Sequence, residues 1–347
     1  MFKKKLICGA ILLGTISAAA SASQVYKDSF EALGTTITSQ VKADTEEKAA
    51  FCMNAIRDET NRLEQLLSAY IPTSDISKLG KSNGEWIEVS ADTAEILDLT
   101  TQICEMTNGA LDPTVGTLVK LWSVDHSNHR VPSEAEIAEA LKKVDYKQIQ
   151  TKKEGDKYFA KIGKGQEITL GATGKGFISD KVAAKLRSNG CNDALVSLGG
   201  NIITLGTNGR GDPWLIGIQE PDVQRGKNFA AVPSKDESVV TSGDYEKFFI
   251  KDGKKYHHIL NPKTGYPVPA TLSSVTIINR NSGYADGLCT ALFVLGWDGA
   301  LRFLVDHPEL KAVLIDEKLE HAAATENLKG DLIVIEPVYQ VGFIQKE

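Results

Sequence analysis

A glycine-rich run in the middle of the chain, Gly171-Ala172-Thr173-Gly174-Lys175-Gly176, constrains the fold more than any other segment. It follows an apolar stretch at residues 168–170, which predicts a strand. It precedes residues 177–188, where apolar side chains recur at helical spacing. Glycines let a backbone approach a ligand closely, and the N-terminus of a helix favours an anion. Lys175 adds a positive charge at the same place.

This run is not a Walker A loop, because Thr169 and Gly176 stand where that loop needs a glycine and a serine or threonine. Two interpretations stay open from the residues alone. One is a tight strand-to-helix turn, and the other is a phosphate site.

Helical and strand patterns do not alternate regularly along the chain. The helices are predicted at residues 46–68, 92–107, 133–144, 177–188 and most of 285–305, with a capping box at Ser133 and Glu136. The strands are predicted at residues 194–198, 202–205, 312–315 and 332–335, and residues 214–276 are strand-rich with a hairpin turn at Asp252-Gly253. This order predicts an α+β fold of mixed sheets with packed helices, and residues 23–347 are expected to form one two-lobed domain.

Residues 1–22 have the composition of a cleavable signal peptide. Three lysines at positions 3–5 precede an apolar stretch at residues 6–16, and Ala20-Ser21-Ala22 supplies the small residues of a cleavage site. A membrane anchor needs about 20 apolar residues, which this stretch does not reach. Cys8 lies inside the apolar stretch, which disfavours a lipid anchor, and no later segment is expected to span a bilayer. We therefore expect cleavage after Ala22 and a soluble, periplasmic protein.

The charge balance excludes one class of partner. The chain has 39 basic and 45 acidic residues, for a net charge of −6. Removing residues 1–22 deletes three lysines and no acid, which takes −6 to −9. Since no basic excess exists to neutralise phosphates, nucleic acid is not an expected partner.

Four cysteines follow the signal segment: Cys52, Cys104, Cys191 and Cys289. No C-x-x-C pair occurs, so neither a zinc site nor a dithiol redox site is indicated. Each is interpreted as a small buried residue. Export permits a disulfide, but the sequence does not choose among the pairings.

Asp286 and Thr290 are spaced i and i+4, so on a helix their oxygens lie on one face. A carboxylate and a hydroxyl together suit a hard cation such as Mg²⁺. The alternative is an acidic residue that stabilises the helix dipole, with the threonine merely packed. The residues alone favour the second interpretation.

Other polar groups are compatible with chemistry or with plain structure. His257 and His258 lie in a predicted strand and point to opposite faces, so at most one serves a given site. The loop from Asp112 to Gly116 and the turn at Ser242-Gly243-Asp244-Tyr245 each combine an acid with a hydroxyl, but ordinary turns do the same. Tyr70 at a helix end could stack on a planar ring or pack in the core.

Taken together and in order, these motifs resemble the ApbE family of Mg²⁺-dependent FAD:protein FMN transferases. The resemblance spans about residues 30–300 and rests on short ordered segments. The segments are Leu33-Gly34-Thr35-Thr36, Leu67-Ser68-Ala69-Tyr70, Ser74-Asp75-Ile76-Ser77, residues 109–116 and Leu121-Trp122, the glycine-rich residues 171–180, Ser197-Leu198-Gly199-Gly200, residues 241–245, residues 256–267 and residues 285–291.

The resemblance implies an α+β fold, Mg²⁺, and FAD as a substrate whose FMN half is transferred to a Thr or Ser hydroxyl of a target protein, with AMP released. Asp286, Thr290 and the Ala172 carbonyl match the metal-ligand positions. The residues matching flavin- or nucleotide-contacting positions are Leu33, Tyr70, Ala110, Leu111, Asp112, Thr169, Lys175 and Leu260. The implied acceptor is a redox-complex subunit or an exported flavoprotein reductase, and membrane contact is expected only through such partners.

His258, which matches the histidine before Ile, is the candidate general base, and Asp244 is the second candidate. Three positions depart from the family pattern: Thr169 and Asn201 replace acids, and Gly80 replaces a common Asn. Two other functions stay open, namely Mg²⁺-dependent hydrolysis of FAD to FMN and AMP, and non-catalytic FAD binding in the periplasm. A flavin oxidoreductase is the least favoured, because no redox partner motif is visible.

Overall fold

The computed structural model describes residues 23–124, 128–221, 226–245, 247–269 and 271–345. The signal peptide predicted at residues 1–22 lies outside these ranges. The helices of the described part are α1 (Glu46–Leu67), α2 (Asp75–Lys81), α3 (Ala91–Met106), α4 (Gly116–Trp122), α5 (Glu134–Leu141), α6 (Gly174–Ser188) and α7 (Ser282–Asp306), with 3-10 turns at Tyr146–Gln148 and Glu326–Leu328.

The strands in the first half of the described chain are β1 (Gln24–Ala32), β2 (Thr35–Ala43), β3 (Ile87–Val89), β4 (Gln150–Glu154), β5 (Lys157–Lys161), β6 (Ala194–Leu198) and β7 (Asn201–Leu205). Those in the second half are β8 (Trp214–Gln219), β9 (Asn228–Ser234), β10 (Ser238–Gly243), β11 (Phe248–Lys251), β12 (Lys254–His257), β13 (Leu272–Asn279), β14 (Lys311–Asp316), β15 (His321–Thr325), β16 (Ile333–Val334) and β17 (Gln340–Ile344).

One large sheet organises these elements. Nine strands lie in the order β1-β2-β6-β7-β10-β13-β14-β15-β17, antiparallel throughout except for the parallel pair β15–β17. Three smaller sheets have the orders β3-β5-β4, β16-β9-β8 and β11-β12. Because strands of both orientations combine with helices that do not alternate with them, the α+β prediction is confirmed.

Three of the five predicted helices, α1, α3 and α5, begin within one residue of the prediction, whereas α6 and α7 begin three residues earlier and α2 and α4 were not predicted. The side chain of Ser133 accepts from the Glu136 N–H and Glu136 reaches back to the cap, so the predicted capping box is present at α5. Thr45 caps α1 and Ser90 caps α3 in the same way, each accepting from the backbone N–H three residues on.

Helices α6 and α7 connect the core to the site. Helix α7 packs on β10 and β13, and strand β13 is buried along nearly its whole length. Helix α6 packs between α1 and α7. Together these elements fill two adjoining apolar cores, one beneath α1 and α6 and one around α7.

The expectation that no later segment could cross a membrane was wrong on length and composition. Helix α7 has 25 residues and a mean hydropathy of 1.6, enough for a span by those two criteria. Part of its apolar surface packs inside the protein, where Ala285, Leu288 and Cys289 are fully buried. The helix is also interrupted at Gly296, whose φ of 71° is not helical.

Residues 168–170 do not form the predicted strand. They run as irregular backbone beside the 110–116 loop, where Thr169 N–H donates to the Pro113 carbonyl and Glu167 pairs with Val115 in an isolated bridge. The apolar side chains of Ile168 and Leu170 are buried for a different reason, namely contact with the core beneath α6. The apolar residues that predicted a strand at residues 168–170 therefore reflect burial and not strand pairing.

Cys52 and Cys191 form a disulfide that joins α1 to the turn after α6. Both are buried, as predicted. The sequence left the pairing open, and the fold joins two cysteines that lie 139 residues apart. Cys104 and Cys289 are free and buried, as predicted.

Candidate active site

The glycine-rich turn and the start of helix α7 meet in one place. The backbone N–H of Gly176 donates to Asp286 Oδ2 at 2.9 Å. A Cβ at position 176 would lie 2.2 Å from the Ser282 carbonyl oxygen and 2.7 Å from the Asp286 Cβ, so only glycine permits this approach. The juxtaposition of Asp286 with this turn, which the sequence motifs implied, is present.

Hydrogen bonds to two polar side chains hold helices α6 and α7 together. The carboxylate of Asp180, on α6, accepts from the N–H groups of Ser282 and Gly283 at the start of α7, each at 2.9 Å. Asn201 Oδ1 accepts from the hydroxyls of Ser179 and Ser282. These groups fix the rotation and spacing of α6 against α7.

Asp286 is 3% exposed, and its environment is poor in water. Burial raises the pKa of its carboxyl, while the Lys175 charge, the Gly176 N–H and the Asn201 side chain lower it. A buried carboxylate is stable only when cations or donors compensate its charge. A positively charged ligand beside Asp286 would therefore stabilise its ionised form.

The other predicted metal ligands lie on the same two elements. Thr290 is half-buried one turn after Asp286 on α7. Ala172 packs against the α7 core just before α6 begins. In an uninterrupted helix the Gly176 N–H would donate to the Ala172 carbonyl four residues back. Here it donates to Asp286 instead, so this N–H does not occupy the Ala172 carbonyl. A carboxylate, a hydroxyl and a carbonyl are all hard oxygen donors, so this set fits Mg²⁺.

The loop that holds Ala110, Leu111 and Asp112 is bound to the glycine-rich turn through the Thr169–Pro113 hydrogen bond. Ala110 and Leu111 are each 4% exposed and belong to the same core as α7. The contact between the two loops brings the predicted nucleotide-binding segments side by side.

Asp112 is largely committed to its own loop. One carboxylate oxygen accepts from the N–H and hydroxyl of Thr114, and the other accepts from the Tyr146 N–H. Burial raises the pKa of the Asp112 carboxyl, and these bonds oppose the shift. Its predicted ligand contact stays a prediction, but the structure shows that it first of all shapes the loop.

Leu33 and Tyr70 each lie near the C-terminal end of α1. Leu33 and Gly34, with φ of 56° and 67°, form the tight turn between β1 and β2. Leu33 N–H donates to Glu64 of α1 at 3.0 Å. Tyr70 follows α1 and is 65% exposed, so it does not pack in the core, and its contact with a bound ring stays a prediction. Leu260, by contrast, is buried against the α4 and α5 cluster.

Of the two histidines predicted to lie in a strand, only His257 does, since β12 ends there and His258 directly follows it. His257 is 3% exposed; its Nδ1 accepts from the Ile259 N–H, and its Nε2 donates to the Val268 carbonyl. Both ring nitrogens are therefore used structurally, and burial lowers the pKa of His257. His258 is half-buried, and its Nδ1 contacts the Lys247 carbonyl at 3.2 Å. Because a carbonyl only accepts, the neutral His258 ring has its proton-accepting lone pair on Nε2.

Helix α7 carries two of the metal-ligand candidates and, two turns further on, contacts His257. The His257 ring lies 5.8 Å from that of Phe293, two turns after Asp286 on α7. Seven residues of helix span roughly 10 Å. Asp244, the second base candidate, is 6% exposed at the end of β10, the strand that α7 packs on.

Sequence reasoning assigned no role to Asp180 and Ser282, which hold α6 and α7 together. Asp180 lies at the end of the glycine-rich motif, and no local pattern indicated its contact with α7. Burial raises the pKa of Asp180 to about 6, against the opposing effect of the two N–H groups. Asn201, noted only as a departure from the family pattern, is the third such residue.

Comparison with known proteins supports the family resemblance. The model of the ApbE family matches residues 33–314. An FAD:protein FMN transferase of Treponema pallidum is 35% identical over 266 residues, 73% of this chain and 73% of that protein. One from Haemophilus influenzae is 33% identical over 314 residues, 86% of this chain and 90% of that protein.

Solved structures show the same fold. The crystal structure of the ApbE protein from Thermotoga maritima has a TM-score of 0.81 at 32% identity and covers 89% of this chain and 99% of its own. The flavin transferase ApbE from Vibrio cholerae has a TM-score of 0.79 at 26% identity, with coverage of 89% and 99%. Motifs, fold and relatives agree, and the chain belongs to the ApbE family.

Proposed function

We propose that this protein is an FAD:protein FMN transferase that moves the FMN half of FAD to a Thr or Ser hydroxyl of a target protein, with Mg²⁺ as its metal. The observation that carries the proposal is the α6–α7 junction. There a buried carboxylate, the N-terminus of a helix and Lys175 converge on one glycine-rich turn. The names of the relatives supply the reaction that such a diphosphate site would serve.

Asp286, Thr290 and the Ala172 carbonyl would hold the metal. When bound, Mg²⁺ polarises phosphoryl oxygens and stabilises charge that develops on them. Lys175 and the backbone N–H groups at the start of α6 add fixed positive charge for the same diphosphate. In this arrangement Asp180 and Asn201 act indirectly, since they set the distance between the two helices.

In the proposed reaction the acceptor oxygen forms a bond to the FMN phosphorus. The bond between that phosphorus and the bridging oxygen breaks, and AMP leaves with the electron pair. His258 Nε2 takes the proton of the acceptor hydroxyl. The buried Asp244 carboxylate is the alternative acceptor of this proton.

We also propose that the protein works outside the cytoplasm, in the periplasm, after cleavage behind Ala22. The Cys52–Cys191 disulfide supports this location, because disulfides persist mainly in oxidising compartments. The acceptor would then be an exported protein or an exported domain, such as a redox-complex subunit or a flavoprotein reductase.

The decisive experiment incubates the purified protein with FAD, Mg²⁺ and candidate exported acceptors, followed by intact-mass spectrometry and AMP quantification. We expect one FMN of added mass on a Thr or Ser of an acceptor and one AMP per transfer. AMP release that never accompanies acceptor labelling would show an FAD hydrolase instead. Stoichiometric FAD binding without AMP release would show a binding protein.

A further inference from the structure

Lys255 of strand β12 makes a contact that the reaction scheme does not use. Its Nζ donates to Asp244 Oδ2 at 2.8 Å and lies 4.8 Å from the centre of the Phe248 ring. The side chain of Lys255 is 33% exposed and that of Asp244 is 8% exposed. The ion pair is therefore shielded from water mainly on its carboxylate side, where removing the cation would leave a buried charge.

This contact joins two elements that carry the two candidate bases. Asp244 follows β10 of the large sheet. Lys255 belongs to the β11–β12 hairpin, and His258 follows directly on that hairpin. Among the described strands, β11 and β12 pair only with each other, so no sheet partner fixes the hairpin.

The two faces of the hairpin are attached differently. In the antiparallel register His257 lies opposite Phe248 and Lys255 lies opposite Ile250, so His257 and Lys255 share a face. On the opposite face Tyr256 stacks on Phe249 and lies against Trp122. Apolar packing thus holds one face, while the Lys255–Asp244 pair and the His257–Val268 bond hold the other.

The two carboxylate oxygens of Asp244 differ in their hydrogen bonding. Oδ2 is bonded to Lys255, whereas Oδ1 is buried and has no hydrogen-bond partner among the described residues. Buried polar atoms in folded proteins nearly always find a partner. Since this oxygen belongs to a candidate base, it points to a donor that arrives with the substrates.

We propose that Lys255 is a positioning residue for the transfer reaction. Its ion pair fixes the hairpin that His258 directly follows, and it orients the Asp244 carboxylate, so that the group that accepts the proton is held in place at the acceptor hydroxyl. The proposal rests on the proposed function. It predicts an effect on the chemical step and little effect on the affinity for FAD.

The test compares Lys255→Met, Lys255→Arg and the matched control Lys251→Met. Lys251 lies on the same hairpin, is exposed, and has no salt bridge or hydrogen-bonded side chain among the described residues. The assay measures AMP released from FAD and Mg²⁺, with and without the labelled acceptor, and gives kcat and KM for FAD. Thermal unfolding of each variant is recorded in parallel.

We expect Lys255→Met to lower kcat about 10- to 100-fold, as a displaced catalytic group does, with KM for FAD within about threefold of wild type. Lys255→Arg should restore most of kcat because it keeps the cation, and Lys251→Met should match wild type. Wild-type kcat in Lys255→Met would overturn the proposal. So would an arginine variant that melts like wild type yet is as slow as the methionine variant. A wild-type protein that releases no AMP would refute the proposed function itself, and the positioning role with it.

Discussion

Replacing Gly176 with alanine tests the α6–α7 junction most directly. The added Cβ would lie 2.2 Å from the Ser282 carbonyl oxygen, whereas 3.4 Å is an ordinary contact. The difference, 3.4 minus 2.2, means that α7 must withdraw by about 1.2 Å or α6 must bend. Either movement lengthens the Gly176–Asp286 hydrogen bond.

The expected cost follows from the contacts that are disturbed. Overpacking in a well-filled core costs about 1–3 kcal/mol. A weakened hydrogen bond to a charged group costs a further 1.5–3 kcal/mol, roughly. Alanine returns at most about 1 kcal/mol of helix propensity relative to glycine. The free energy of unfolding should therefore fall by about 2 kcal/mol or more, and a shift near 1 Å in Asp286 should slow catalysis about 100-fold.

Gly174→Ala is the matched control. It lies two residues earlier on the same helix, and its added Cβ would meet only the Leu170 Cβ, at 3.6 Å. Denaturant unfolding and Mg²⁺-dependent AMP release should place Gly174→Ala within about 1 kcal/mol and a few-fold of wild type. If both variants behave like wild type, the helices are not held at the distance described here, and the reasoning about Asp286 fails.

Three further predictions follow from single features. Asp286→Asn should abolish the rise in melting temperature that Mg²⁺ gives wild type. Without metal the variant should melt no lower than wild type, because a neutral amide does not carry the cost of burying a charge that raises the Asp286 pKa. A retained Mg²⁺ shift in calorimetry would remove Asp286 from the metal site. Replacing Cys52 and Cys191 together with alanine should lower the free energy of unfolding by about 2–4 kcal/mol with catalysis nearly intact, since the bond closes a long loop far from the N-terminus of α6; an unchanged midpoint in urea would contradict this. His257→Gln should flatten the pH dependence of stability. The folded-state pKa of His257 lies below its ordinary 6.5, so the unfolded chain binds the proton first and wild type loses stability as pH falls below about 6.5. Equal slopes for both proteins between pH 5 and 7 would show that this histidine does not contribute.

Local signals in the sequence predicted local structure well. The capping box at Ser133 and the Asp252-Gly253 hairpin depend on residues a few positions apart, and both are present. The irregular residues 168–170 were mistaken for a strand because apolar side chains are buried in either conformation. Whether such a segment pairs as a strand depends on its neighbour, here the Pro113 loop, which is more than 50 positions away in the chain.

The sequence named candidate metal ligands, which stay predictions, but it did not indicate the residues that hold the two helices together. Asp286 and Thr290 carry a helical spacing that the sequence displays. Asp180 and Asn201 act across elements, through hydrogen bonds over 102 and 81 residues of sequence, and no local pattern encodes such contacts. The Cys52–Cys191 pairing was hidden for the same reason.

The Asp180 and Asn201 hydrogen bonds explain how the fold keeps the Asp286 carboxylate buried. In the protein without metal, burial works against the charge of Asp286, and one N–H, one lysine and one amide side chain offset part of that cost. The remaining cost is carried by the fold, through the Asp180 contacts that hold α7 against α6. If Mg²⁺ binds Asp286 as proposed, it would remove this cost, and its affinity would then include energy already stored in the folded chain. Loosening the helices, as Gly176→Ala does, would let water reach the carboxylate, and the metal would then bind more weakly even though each of its ligands remained in the sequence.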